Sequence, residues 1–139
     1  MPKYMLMFVG RDDWYDKQSK EQLAEAYRPI MAWWDELSKT GVIKGGEELG
    51  PQRNATSVKR VNGSMKVTDG PFIESKETVG GFALIEVEDL DKAIAIAKSW
   101  PGGDVEVRPI VDHGACPRSR ATRWPPSSTK RRAGSPRRS

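Results

Sequence analysis

The segment Thr68-Asp69-Gly70-Pro71-Phe72-Ile73-Glu74-Ser75-Lys76-Glu77 gathers the densest chemistry in this 139-residue chain. Four charged side chains, Asp69, Glu74, Lys76 and Glu77, fall within nine positions. Gly80-Gly81 comes next, where a backbone or a ligand can approach closely. A carboxylate placed beside a small-molecule carbonyl acts as a base or proton shuttle, and a nearby ammonium or guanidinium stabilises the anion that results. Trp14, in the loop after the first strand, is a candidate for lining a pocket. The same residues admit a plainer reading. Asp-Gly-Pro is a tight turn in which Asp accepts from backbone N–H groups, Gly tolerates positive φ and Pro fixes its own φ at the exit. A solvated charge cluster on a hydrophilic loop would look the same.

Other chemistries find few residues. His113 is the single histidine and Cys116 the single cysteine. Together they supply two metal ligands where a structural zinc site wants four, so no metal is expected. A Ser/His/Asp triad would have to draw its histidine from the edge of the domain. No GxGxxG or Walker A pattern is present, so nucleotide binding has no support and no cofactor is expected. Asn54-Ala55-Thr56 and Asn62-Gly63-Ser64 match glycosylation acceptors and read as turns. Trp33 and Trp34 suit core and dimer packing better than a ligand cage.

These side chains need a frame. Tyr4–Val9 is apolar on both faces, as a central, doubly covered strand is. Ser19 with Gln22 forms a capping-box pattern, and Leu23, Ala26/Tyr27, Ile30, Trp33/Trp34 and Leu37 recur at helical spacing. The spacing predicts a helix over about 19–39, kinked or split by Pro29. Val42-Ile43 reads as a short edge segment, with Gly45-Gly46 and Gly50-Pro51 breaking the chain after it. Asn62-Gly63 is a two-residue hairpin turn between residues 55–61 and 65–68. Residues 80–87 form a second mostly apolar strand. Asp89 caps a helix carrying Leu90, Ala93, Ile94 and Ala97, and residues 104–111 form an edge strand containing Pro109.

The order is an α+β, ferredoxin-like βαββαβ with an antiparallel sheet and an inserted hairpin. Two helices cover one face of such a sheet. Apolar residues on the other face need a second cover, and a homodimer packed sheet to sheet supplies it.

Charge divides the chain. Its formal net charge is +4, yet residues 1–112 hold 15 Lys/Arg against all 19 Asp/Glu, giving −4. Residues 113–139 hold eight Lys/Arg and no acid, giving +8. From Gly114 the composition turns to Arg, Ser, Pro, Ala and Thr, so 113–139 reads as a disordered basic tail beside a single domain, 1–112. Nucleic acid would bind only through that tail and is not expected of the domain. The tail reads rather as a non-functional extension, with the composition of an out-of-frame reading of GC-rich coding sequence. The longest apolar run, Tyr4–Val9, is too short for a membrane span or a signal peptide, and residues 1–112 lack cysteine. A cytoplasmic location is expected, with no membrane partner.

The stretch Asp69–Glu77, together with Gly80-Gly81-Phe82, resembles the signature of the YCII-related family in the branch named for its Asp-Gly-Pro-Phe motif. The likeness extends to Lys3–Leu6, Gly41-Val42, Gly45-Gly46-Glu47-x-Leu49, Glu86–Ala93 and Val105–Pro109, and covers about 1–112. It implies a ferredoxin-like, dimeric α/β-barrel domain, in a family whose members are mostly of unassigned activity. A muconolactone-type dehydrochlorinase is a relative, and some members accompany extracytoplasmic-function sigma factors. Some relatives are proposed to pair an Asp with a His from the first helix; here that helix offers Tyr27, Arg28 and Trp33 instead. Carried onto this chain, the motif implies Asp69 as catalytic base or proton shuttle, with Lys76 or Arg28 stabilising an anionic intermediate and Glu74 in the binding set. The resemblance leaves two readings. One is a small-molecule lyase or isomerase working through the acidic loop. The alternative is a non-enzymatic ligand-binding or regulatory dimer, for instance one associated with sigma-factor signalling.

Overall fold

A computed structural model describes residues 1–11 and 13–113, with the side chains of Trp14 and Tyr15 outside the description. Residues 114–139, on which the expectation of a disordered basic tail falls, lie outside the described residues. The chain runs β1 (Lys3–Arg11), a short 3-10 turn (Trp14–Lys17), α1 (Lys20–Lys39) and β2 (Ile43–Glu48). It continues through a second 3-10 turn (Gln52–Asn54), β3 (Thr56–Val61), β4 (Ser64–Asp69), β5 (Glu77–Glu86), α2 (Leu90–Lys98) and β6 (Asp104–Pro109). The main sheet is ordered β2-β5-β1-β6 with every neighbour antiparallel, an α+β arrangement consistent with a ferredoxin-like fold. The two strands that are apolar on both faces, β1 and β5, are the central ones. No described helix is long and apolar enough to cross a membrane.

Alternation decides which side chains enter the core. Tyr4, Leu6 and Phe8 of β1, Ala83 and Ile85 of β5 and Val87 just past its end face the helices and are buried with Trp33 and Ala93. Leu6 and Ile85 are the largest fully buried side chains. Both helices begin as their sequences require. Ser19 Oγ accepts from Gln22 N at 3.1 Å while Ser19 N donates to Gln22 Oε1 at 2.8 Å, and Asp89 Oδ1 accepts from Lys92 N at 2.9 Å. Pro29 lies inside α1 without dividing it.

The region after α1 corrects the expectation of a broken chain at Gly45-Gly46. Those glycines lie within β2, a six-residue edge strand on β5 with a register shift between Ile43 and Gly45. Glycine is depleted in strands, which hides β2 from a propensity reading. Its need is tertiary. At Gly46 φ is +150°, and a Cβ would stand 2.3 Å from the Phe82 carbonyl oxygen and 2.6 Å from Trp34 Cη2. The indole occupies the place of the missing side chain.

The inserted hairpin β3–β4 forms its own two-stranded sheet and joins neither edge of the main one. Its turn has Asn62 at φ 47° and Gly63 at φ 85°, the two positive values that Asn-Gly provides.

Candidate functional site

At the end of the sheet where β1 and β2 finish and β5 begins, α1 leaves a cavity of about 740 Å³. Its walls are largely apolar: Phe8 from β1, Ile30, Met31 and Trp34 from α1, Leu49 after β2 and Trp100 after α2. The aromatic side is rigidly packed. Phe8 stacks on Trp100 at 3.9 Å with 16° between planes, and Trp33 meets Trp100 edge-on at 5.0 Å. Trp33 Nε1 donates to Ser99 Oγ at 2.8 Å, so the buried indole N–H is satisfied and the ring orientation fixed. The adjacent indoles thus divide their tasks, Trp33 in the core and Trp34 on the cavity wall. Glycine opens the remaining wall. A Cβ on Gly102 would lie 2.6 Å from Trp100 Nε1, so the ring can settle only over a glycine.

A few polar groups converge on this space. Tyr27, on the inward stripe of α1, donates its Oη hydrogen to Glu48 Oε2 at 2.7 Å, joining α1 to the end of β2. A hydroxyl held by a carboxylate is a short, charge-assisted bond that can pass a proton in either direction. Arg11 at the end of β1 also lines the cavity. Its guanidinium donates in a fork to Asp13, 3.1 Å from Nε to Oδ1 and 3.0 Å from Nη2 to Oδ2. Lys17 Nζ lies 3.2 Å from the same carboxylate. The Arg11 and Lys17 hydrogen bonds hold the Asp13 carboxyl down to about 2, and the Asp13 bond in turn raises Arg11 above its ordinary value. A bidentate pair between Arg53 and Asp16, both bonds 3.3 Å, ties the two 3-10 turns together.

The residues singled out from sequence lie elsewhere. Asp69 ends β4, exposed, its Cα opposite Thr56, and its side chain makes no hydrogen bond or ion pair with the described residues. The turn after it is held by other atoms: Ser57 Oγ donates to the Gly70 carbonyl at 2.6 Å and Gly70 N to the Ala55 carbonyl at 2.7 Å. Glu74 and Lys76 are exposed on the adjoining loop. Arg28 points away from the cavity-lining residues of α1 and pairs with Glu25 at 2.7 Å. Trp14 begins the first 3-10 turn, and its side chain lies outside the described residues. No three of the described His, Cys, Asp and Glu residues gather as a metal site would require.

Sequence reasoning passed over Glu48 and Arg11. Glu48 is the unspecified position of Gly45-Gly46-Glu47-x-Leu49, and only the β2 register turns it to the helix-covered face. Tyr27 carried a signal: a polar-tipped aromatic on an otherwise apolar helical stripe needs a partner for its hydroxyl.

Residues 3–113 match the YCII-related domain family. An uncharacterized protein of Rhizobium meliloti (strain 1021) is 32% identical over 98 residues, which span 67% of this chain and 79% of that protein. With a match across nearly the whole described domain, this chain belongs to the YCII-related domain family.

Proposed function

We propose that the domain binds a flat, largely apolar small molecule in the cavity beneath α1, and that the Tyr27–Glu48 pair moves a proton to or from it. One observation carries this reading. The 2.7 Å hydrogen bond between Tyr27 and Glu48 is set in the wall of an aromatic cavity of about 740 Å³, a size and lining typical of small-molecule sites. The chemistry is that of a lyase or isomerase, in which one group removes a proton and another returns it. Asp69 keeps a proposed catalytic role only for a ligand held outside this cavity, at the exposed loop with Glu74 and Lys76. The wider lineage is the Asp-Gly-Pro-Phe branch, supported by residues 69–72.

The domain acts as a homodimer in this reading. The sheet face away from the helices has Met5, Met7, Phe82 and Leu84 at its centre, and neither helix packs against it. A second copy is the cover that removes this surface from water.

Tryptophan emission supplies the test, because Trp34 and Trp100 line the cavity. A library of ring-bearing fragments should change the emission of the wild-type domain, and Tyr27→Phe should weaken the best binder while Asp69→Asn leaves it unchanged. Loss of binding in Asp69→Asn with full retention in Tyr27→Phe would return the chemistry to the acidic loop. A ligand that binds tightly and is never converted, with activity absent for every fragment, would favour the regulatory alternative.

A further inference from the structure

The motif that dominates the sequence is absent from the cavity, and the segment bearing it carries an unexplained cost. Residues 56–76 comprise the hairpin β3–β4 and the loop Gly70–Lys76. A two-stranded sheet alone is marginal in water. This one has no second layer on either face, for every residue of β3 and β4 except Ser57 is exposed.

Its side chains are nonetheless not those of a solvated loop. Val58 lies opposite Val67, and Met65 opposite Arg60, so Val58, Met65 and Val67 share one face. They are 46%, 53% and 66% exposed, and Phe72 and Ile73 on the adjoining loop are 68% and 79% exposed. The other face sets Lys59 directly opposite Lys66, a like-charge pair that disfavours the hairpin on its own. The first face, which also carries Arg60 and Asp69, and the second, which also carries Val61, are both relieved by a partner that is apolar in its centre and acidic around it.

We propose that residues 56–76 are an arm that grips a second copy of this chain. Charge selects that occupant. The arm holds four basic and two acidic residues, a net +2, whereas the rest of 1–112 holds eleven basic and seventeen acidic, a net −6. A copy of the same domain is therefore an attracting surface for the arm. The copy also supplies the apolar ground. Met5, Met7, Phe82 and Leu84, each half-buried, form a face that neither helix covers; in the strand register Glu47 and Glu106 stand opposite Phe82 and Met7, and Arg108, 3.8 Å from Glu106, stands opposite Met5. A two-fold axis lets each copy give one arm and receive one, so the arm's contact is made twice. The inference rests on the homodimer proposed above and adds to it the element that holds it.

Sedimentation equilibrium of the full chain over a range of concentrations tests both. Wild type should dimerise. Val67→Asp and Ile73→Asp, each at an exposed position, should raise the dimer dissociation constant at least about tenfold with an unchanged circular dichroism spectrum, because each places a carboxylate in an apolar contact. Leu84→Asp should weaken the dimer through the sheet face. If Leu84→Asp weakens it while both arm variants match wild type, the arm proposal is overturned and the sheet-face dimer stands. A wild type that stays monomeric at every concentration overturns both. Hydrogen exchange of wild type gives an independent reading: amides of 56–76 should gain protection as concentration rises. Exchange that is independent of concentration, in a protein that dimerises, rejects the arm.

Discussion

The helix-covered core and the arm use the same kinds of side chain to opposite ends. On β1 and β5, Leu6 and Ile85 are fully buried, because α1 and α2 lie across that face. On the arm, Val67 and Ile73 are mostly exposed, although their neighbours alternate and turn as regularly as those of β1. The difference is a second layer. An amphipathic strand is stabilised only by what covers it, and the arm's own chain provides no cover. The contrast extends to polar residues. In the cavity Tyr27 is tied to Glu48, whereas Asp69 at the root of the loop has no side-chain partner among the described residues. Dense charge in the sequence therefore marked a surface, and the polar pair with a defined geometry came from two residues 21 positions apart.

Paired substitutions sharpen this contrast. The largest effect is expected from Leu6→Ala, which removes a fully buried side chain and should cost about 3–5 kcal/mol in urea unfolding. Val67→Ala should cost within about 0.5 kcal/mol in the monomer, since that side chain is already wet. Similar losses at the two positions would remove the distinction between interior and arm.

Next in size is a pair of glycines with positive φ. Gly46→Ala adds a Cβ against the Phe82 carbonyl and Trp34 at strained φ and should cost about 3 kcal/mol, with the cavity wall displaced. Gly63→Ala meets nothing within 4 Å and should cost about 1 kcal/mol. Unfolding midpoints of the two variants check the order, and equal shifts would show that crowding at Gly46 is unimportant.

A smaller change is expected from Tyr27→Phe. Loss of this hydrogen bond, which is open to solvent, should cost about 0.5–1 kcal/mol of stability, and weaken a cavity ligand about tenfold if the hydroxyl contacts it. Titration by tryptophan emission measures the second quantity. An affinity equal to wild type would confine the pair to holding α1 on β2.

The smallest effect concerns acid. The Asp13 carboxyl sits at about 2 in the fold against an ordinary 3.8. A lowered folded value means that the cluster's contribution is present above about 3.8 and is lost as pH falls toward 2. The site is at the surface, so the slope is slight. Carboxyl NMR of Asp13 should show the low titration, and Asp13→Asn should flatten the acid limb of stability from about pH 4 down to about pH 2. An Asp13 signal that titrates near 3.8 would show that the fork with Arg11 does not persist in solution.

Much of the frame was legible in the residues alone. The capping box at Ser19 and Gln22, the Asp89 cap and the Asn62-Gly63 turn are local devices in which neighbouring residues satisfy one another, so sequence suffices to read them. The double-sided apolar runs of β1 and β5 identified the centre of the sheet by the same kind of argument. The strand β2 escaped because its glycines answer to Trp34 and Phe82, which are remote in sequence. Arg28, predicted to face a ligand, sits one residue from Tyr27, and that single step of the helix turns it to solvent beside Glu25.

The sequence by itself determined the element order, the helix starts, the hairpin turn and the division of charge between an acidic 1–112 and a basic 113–139. Each depends on propensity, periodicity or charge, which act over a few residues. Only the tertiary structure decided where Glu48 faces, how Trp33 and Trp34 divide between core and cavity, and that Asp69, Glu74 and Lys76 stand outside the cavity. Those outcomes depend on strand register and on which face a second layer covers, and a shift of one residue reverses them.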